Sequence, residues 1–257
     1  MKTIAIIVSY ANRYKLCRQV VESCLAEDVY KIIVVDNGSV KESKKQLKLL
    51  EKRYNRTVEV VRLPSNIGSA GGYKFGLATA LKDSKADFFW LLDDDNVPVP
   101  GALKALISAY AELSQDDERV VLYSYRGDSR PNDLEAVTKG TIKQYLPNNF
   151  CGINITLILR KKIRKLLGFE KAPSKINHPI VKVKHGPYGG MFIRPVVVRF
   201  IGFPEERFFV YADDHEYTNR LDRQGISQYL IYESKLQDID DSFPKGHTLF
   251  SKSIPEF

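Results

Sequence analysis

Three adjacent carboxylates, Asp93, Asp94 and Asp95, stand directly behind the apolar run FFWLL at 88–92. Adjacent carboxylates repel, and at the end of a core strand they persist only where a cation or hydrogen-bond donors compensate them. A divalent metal ion carrying a phosphate is one such compensation. A second acidic group, Asp213, Asp214 and Glu216, opens a helix-like stretch at ADDHE, 212–216. Carboxylates there also suit the positive amino end of a helix, so the cluster alone leaves chemistry and capping both open. His215 and Glu216 lack the second histidine of HExxH, which disfavours a zinc protease.

Two glycine segments accompany the acids. GSAGGYKFG at 68–76 is neither GxGxxG nor a Walker sequence. Its small residues Gly68, Ser69, Gly71 and Gly72 permit close approach of backbone to a ligand, and the helix that follows aims its amino end at an anion. KHGPYGGMFIRPVVV at 184–198 joins a flexible turn at Gly189 and Gly190 to a hydrophobic strand.

Strands and helices must position these groups. TIAIIVS at 3–9 reads as a strand, 16–26 as an amphipathic helix, and KIIVVDNGS at 31–39 as a strand running into a polar turn. A lysine-rich helix over 41–52, the strand VEVVRL at 58–63, a loop PSNIGSAGG at 64–72, a helix through Leu81 and a strand ending at Leu92 follow. Such alternation predicts an α/β fold with a parallel sheet covered by helices. Ligand-binding groups gather at the carboxyl ends of strands in that architecture. Ser9, Asp36, Asn66 and Asp93 to Asp95 are all expected there.

Composition limits the function classes. The 257 residues, 44% hydrophobic, suffice for a substantial core, as one large domain or a principal domain with a small appendage. Cys17, Cys24 and Cys151 form no CxxC pair, which points to a reducing compartment, and four histidines without a Cys/His cluster give a zinc site little support. The opening MKTIAIIVSYANRYKL has too short an apolar run for a signal peptide, and no stretch approaches the ~20 apolar residues of a spanning helix. A net charge of +8 favours anionic partners. RKKIRKLLGFEK at 160–171 is the densest basic segment, an ordinary surface helix or a contact for anionic lipid or a charged acceptor. Neither an RNA-binding aromatic signature nor a DNA-reading module is present, so nucleic acid is not an expected partner.

IVVDNGS at 33–39, NIGSAGG at 66–72, LLDDDNVP at 91–98, GGMFIR at 189–194 and FFVYADDHEYTNRL at 208–221 together resemble the inverting glycosyltransferases of family 2. Within it they look most like the galactofuranosyltransferases and related rhamnosyltransferases. The resemblance covers most of residues 3–250 in order. It implies a GT-A α/β fold with a mostly parallel central sheet flanked by helices: a single catalytic domain over 1–257, with a nucleotide-sugar-binding part at 1–100 and an acceptor-binding part at 101–257.

The resemblance also implies roles. Asp36 takes the nucleobase, with Tyr10, Arg13 and Asn66 near the base or diphosphate and the segment Gly68, Ser69, Gly71, Gly72 facing the donor. Asp95 first and Asp93 second contact Mn²⁺ or Mg²⁺, Asp94 organises the donor sugar, and His247 completes the metal site. Gly189, Gly190 and Glu216 border the acceptor. Asp214 is the general base and Asp213 orients the acceptor hydroxyl.

The implied activity is metal-dependent inverting transfer of galactofuranose from UDP-galactofuranose, or of rhamnose from dTDP-rhamnose. The implied acceptor is a lipid-linked or growing bacterial surface glycan, met at the cytoplasmic face of the cell membrane through peripheral contact with anionic lipid. Related enzymes commonly carry further helices after this point, so the chain is expected to be a minimal enzyme or a piece cut before such a region. A catalytically inactive glycan-binding or scaffold protein is the alternative reading.

Overall fold

The computed structural model describes residues 1–115, 117–127, 129–140, 175–208 and 213–240. The basic segment 160–171, Cys151 and His247 lie outside the described residues.

The first half alternates as its hydrophobic runs dictate: β1 (Thr3–Ser9), α1 (Tyr14–Ala26), β2 (Lys31–Asn37), α2 (Lys41–Arg53), β3 (Val58–Leu63), α3 (Gly68–Ala80) and β4 (Phe88–Asp93). There follow β5 (Asn96–Pro98), α4 (Ala102–Leu113), β6 (Val120–Tyr125), α5 (Pro131–Lys139), β7 (Ile180–Val183), β8 (Met191–Ile193), α6 (Pro195–Ile201), α7 (Asp213–Arg223) and β9 (Ser227–Asp238). Among the described residues no helix is long and apolar enough to cross a membrane.

These strands form one sheet in the order β3-β2-β1-β4-β8-β6-β9-β5, with β7 paired on β9. β3, β2, β1 and β4 are parallel. β8 enters antiparallel between β4 and β6, and β9 runs parallel to β6. Two reversals restore the direction, so β6 and β9 end at the same edge as β1, β2 and β4. That edge is in register: Ser9 lies beside Asp36, and Val8 beside Asp93.

Both faces of the sheet are covered, which is why β1, β2 and β4 read as unbroken apolar runs. Ile4, Ile6, Val8, Ile33 and Val35 pack with Tyr73, Leu77 and Ala80 of α3 in one core. Ala5, Ile7, Ile32 and Val34 pack with Cys17, Val20, Val21 and Cys24 of α1 and with Leu47 and Leu50 of α2 in the other.

Two sequence expectations change. GSAGG is the opening of α3 and not the end of a loop, because Asn66 accepts the Gly68 N–H at 2.9 Å and Gly68 takes φ +81° there. RPVVV does not extend the strand: β8 ends at Ile193 and Pro195 begins α6, where its missing N–H costs nothing. The helix buries Val197 and Val198 in the first core, so packing overrides the β preference of the valine run.

Candidate active site

The strand-end rule is realised at β1, β2 and β4. The turn after β4 presents the three aspartates differently. Asp94 is buried and accepts hydrogen bonds from Ser9 Oγ at 2.8 Å and Arg13 Nε at 2.8 Å. Arg13 also reaches Asp95 through Nη2 at 3.1 Å and Asp240 through Nη1 at 2.5 Å. Asp93 accepts from the Tyr73 hydroxyl at 2.8 Å. The Asp93 side chain is 43% exposed and that of Asp95 19%, so these two remain reachable from solvent whereas Asp94, at 3%, is a buttress.

A second arginine, unremarked in the sequence, closes the cluster. Arg126 follows β6 and donates through Nε and Nη2 to Asp238 at the end of β9. Its Nη1 lies 3.4 Å from Asp93 and 3.3 Å from the Gly189 carbonyl oxygen. Asn96 donates to Asp95 at 3.0 Å and to Asp238 at 2.7 Å, while its own oxygen accepts the Asp93 N–H. Of these, Asn96 was accessible to sequence reasoning because it adjoins the triplet, whereas Arg126 and Asp238 stand at carboxyl ends of strands that only the pairing through β8 makes parallel to β4.

Five carboxylates, Asp93, Asp94, Asp95, Asp238 and Asp240, thus face two guanidiniums. Burial, then the charge of Asp93, pushes the Asp95 carboxyl up to about 6, and burial pushes Asp94 up to about 7. An excess of oxygen ligands and negative charge is the chemistry a hard divalent cation fits. Among the described residues no three histidine, cysteine or carboxylate side chains converge as a finished ion cage. Arg13, Arg126 and Asn96 take up the carboxylate oxygens instead.

Asp36 is fully buried at the end of β2. Its Oδ1 accepts the Ser39 N–H at 2.8 Å, and its Oδ2 has no hydrogen-bond partner among the described residues. Tyr10 is exposed, with the Arg13 guanidinium 5.4 Å from its ring centre. Asn66 is tied into the loop before α3 through Asn37 Nδ2 at 3.1 Å.

The glycines of α3 have a packing task that their expected donor contact leaves out. Gly71 and Gly72 are buried, and a Cβ on them would meet Ile67 at 2.6 Å and Val8 at 2.7 Å. Their smallness serves the contact of α3 with β1 and with its own cap. Ser69 likewise turns to the protein, donating to Asp213 Oδ2 at 2.5 Å. Gly189 does stand at the acids: a Cβ there would lie 2.6 Å from Arg126 Nη1 and would strike Asn96 and Asp93. Gly190, at φ +99°, packs on Ser124 and Leu236.

The acids of α7 divide by burial. Asp213 is buried, and burial raises its pKa while Ser69 opposes the rise. Asp214 is half-buried and accepts the His215 N–H at 2.7 Å. Glu216 pairs with Arg220, one turn on, at 2.7 Å. Arg220 in turn donates to the Ile201 and Phe203 carbonyls, so Glu216 supports the anchoring of α7 on α6, a structural task that its expected acceptor contact leaves out. Tyr188 donates to the Asp213 carbonyl at 3.1 Å, and its ring lies 4.6 Å from that of Tyr73, whose hydroxyl holds Asp93. The two acidic groups therefore belong to one connected site.

Residues 5–168 match the model for glycosyl transferase family 2. No curated protein matches the chain in sequence. Among solved structures, residues 1–349 of TarS from S. aureus superpose with a TM-score of 0.54 at 16% identity, over 92% of this chain and 60% of that one. GalNAc-T7, solved with UDP, GalNAc and Mn²⁺, gives 0.64 at 13% identity, over 99% of this chain and 46% of that one. The mannosyltransferase PcManGT from Pyrobaculum calidifontis, solved with GDP-Man and Mn²⁺, gives 0.58 at 16% identity, over 94% and 58%. The chain thus spans 60% or less of these three structures. At such identities the likeness shows a shared fold. The family match extends over well more than half of the sequence and takes in the acidic strand end, and by it the chain belongs to glycosyl transferase family 2, with an α/β, GT-A-like fold.

Proposed function

We propose that the chain transfers a sugar from a nucleotide-sugar donor to a hydroxyl of a glycan with inversion at the anomeric carbon. UDP-galactofuranose is the leading donor and dTDP-rhamnose the second. One observation carries the reading: a carboxylate-rich strand end and a half-buried carboxylate at the start of a helix, Asp214, are joined through Tyr73, Tyr188 and Asp213. The choice of donor sugar is supported by the five ordered motifs at 33–39, 66–72, 91–98, 189–194 and 208–221.

In this reading residues 1–100 hold the donor. The Oδ2 of Asp36, unpartnered among the described residues, is the acceptor for a base N–H, a buried lone pair that otherwise costs stability. Tyr10, Arg13 and Asn66 flank the base and diphosphate, and Asp94 keeps Arg13 in place. Mn²⁺ or Mg²⁺, held by Asp95 and Asp93 with His247, would neutralise the diphosphate and the charge it gains on leaving. Two of the similar structures contain Mn²⁺ with UDP or GDP-Man, which supports that assignment.

Residues 101–257 hold the acceptor, with Gly189 and Gly190 beside it. Asp214 accepts the hydroxyl proton as that oxygen bonds to the anomeric carbon. The bond from that carbon to the diphosphate oxygen breaks, and its electron pair leaves with the diphosphate. One displacement inverts the centre without a glycosyl-enzyme intermediate. A lipid-linked or growing bacterial surface glycan, met through peripheral contact at the cytoplasmic membrane face, is the proposed acceptor.

A donor panel incubated with membrane extract and Mn²⁺ tests the reading. Incorporation from UDP-galactofuranose, with the anomeric configuration of the product opposite to that of the donor by NMR, is expected. Ligand binding without turnover of any donor would favour the glycan-binding alternative.

A further inference from the structure

Ser69 and Tyr73 stand four residues apart on α3, and therefore on one face of the helix, about 6 Å apart along its axis. Each is bound to a different pole of the site. Ser69 Oγ donates to Asp213 Oδ2 at 2.5 Å, and Tyr73 Oη donates to Asp93 Oδ1 at 2.8 Å. Ser69 thereby spans 144 residues of sequence, joining the first half of the chain to α7. The Tyr73 ring also lies against that of Tyr188, which holds the Asp213 carbonyl, so the helix grips α7 at a second point.

The helix carrying this pair has little freedom to shift. Gly72 and Gly76 face β1, where a Cβ would run into Val8 at 2.7 Å and into Ile6. The α3 backbone therefore lies directly on the strand whose end carries Ser9 and whose neighbour carries Asp93. Tyr73, Leu77 and Ala80 are buried in the same core. Ser69, Gly72, Tyr73 and Gly76 share one side of the helix, so the two side chains that hold the acids sit where α3 is pressed against β1, and α3 acts as a spacer between the acids.

We infer that Ser69 and Tyr73 are positioning residues that set the separation between Asp93, proposed to hold the metal ion, and the base-bearing turn Asp213–Asp214. Neither touches the reacting atoms. In-line displacement needs the attacking and leaving oxygens on opposite sides of one carbon, and a misplacement of about 1 Å costs about 10²-fold in rate. The spacer acts on the step in which the acceptor attacks, and donor binding, which uses one pole alone, is spared by changes at Ser69, whose hydroxyl is bound to the other pole. This rests on the reading of Asp214 as base. It goes beyond that reading in assigning the geometry to a helix that supplies no reacting group.

The test compares Ser69→Ala, Tyr73→Phe and Ser69→Thr with wild type. Three quantities are measured: affinity for UDP with Mn²⁺ by isothermal titration, the ratio of glycan transfer to donor hydrolysis at saturating donor, and the melting temperature. Ser69→Ala should lower the transfer-to-hydrolysis ratio about tenfold with UDP affinity within about twofold of wild type, and Tyr73→Phe, which also frees Asp93, should lower the ratio by more than it lowers UDP affinity, as expected for an oriented step. Ser69→Thr keeps the hydroxyl and should retain most of the ratio. A merely structural role would lower the melting temperature and leave the ratio unchanged, and that outcome overturns the inference. Equal losses of UDP affinity and transfer would also overturn it, by making these residues part of donor binding. Failure of the base reading is separate: it shows as wild-type transfer by Asp214→Asn. The spacer fails if Asp214→Asn is inactive while the Ser69 and Tyr73 variants keep the wild-type ratio.

Discussion

Arg126 and Asp238, 112 residues apart, form a two-pronged ion pair in which Nε and Nη2 each donate at 3.0 Å. The side chains are 12% and 14% exposed, so the pair is largely removed from water. Burial opposes the arginine's charge, but Asp93 and Asp238 outweigh it and hold its pKa above the ordinary value. The guanidinium is thus a fixed positive charge beneath the acidic cluster, and through the Gly189 carbonyl it reaches the glycine turn before β8.

Removing one partner of such a pair strands the other. Arg126→Ala should destabilise the protein by about 3 kcal/mol, the low end for an orphaned buried charge. The double variant Arg126→Ala, Asp238→Ala should lose less than the sum of the singles, because no carboxylate at 238 remains unpaired. Urea denaturation measures both. Additive losses would show that the two side chains do not interact energetically.

Asp95 combines partial exposure with the excess charge of the cluster. Asp95→Ala should weaken Mn²⁺-dependent UDP binding at least tenfold and abolish most turnover, and EDTA should do the same to wild type. Titration calorimetry with and without metal reads the effect. Full activity in EDTA together with a fully active Asp95→Ala protein would remove the ion from the proposal.

Asp214→Asn preserves shape while removing basicity. Transfer should fall by roughly 10²-fold, the scale of a positioned proton-transfer group, with donor affinity near wild type. Asp213→Asn should lose less, since Asp213 is buried against Ser69. Product formation at saturating acceptor decides it. A severe loss in Asp213→Asn alone would move the base one residue back.

The His185 ring lies 4.8 Å from that of His215 in α7. Burial first, then the charges of His215 and Arg130, holds the His185 pKa below the ordinary imidazole value. In the window between the two values the folded protein binds fewer protons than the unfolded chain, so stability falls as pH drops through the imidazole range. His185→Gln should flatten that decline between about pH 7 and pH 5. Melting temperatures across the range check it, and an unchanged slope would show that His185 does not contribute.

Local pattern reaches as far as β1 to β4 and the acids at their ends. Strands buried on both faces must be apolar throughout, and charged residues just beyond them must sit at the sheet edge, so Asp36 and Asp93 to Asp95 were legible from the chain alone. The family motifs extended that reading to Asp213 and Asp214. Arg126 and Asp238 were not legible, because their place depends on β8 entering antiparallel between β4 and β6, a pairing between residues far apart that no local periodicity encodes. The same holds for Gly71, Gly72 and Ser69. A glycine-rich stretch after a strand suits a ligand or a close helix equally well, and only the tertiary structure shows that α3 packs on Val8 and that Ser69 reaches Asp213. RPVVV became a helix for a like reason: proline suits the first helical turn, and the core under α6 accepts Val197 and Val198.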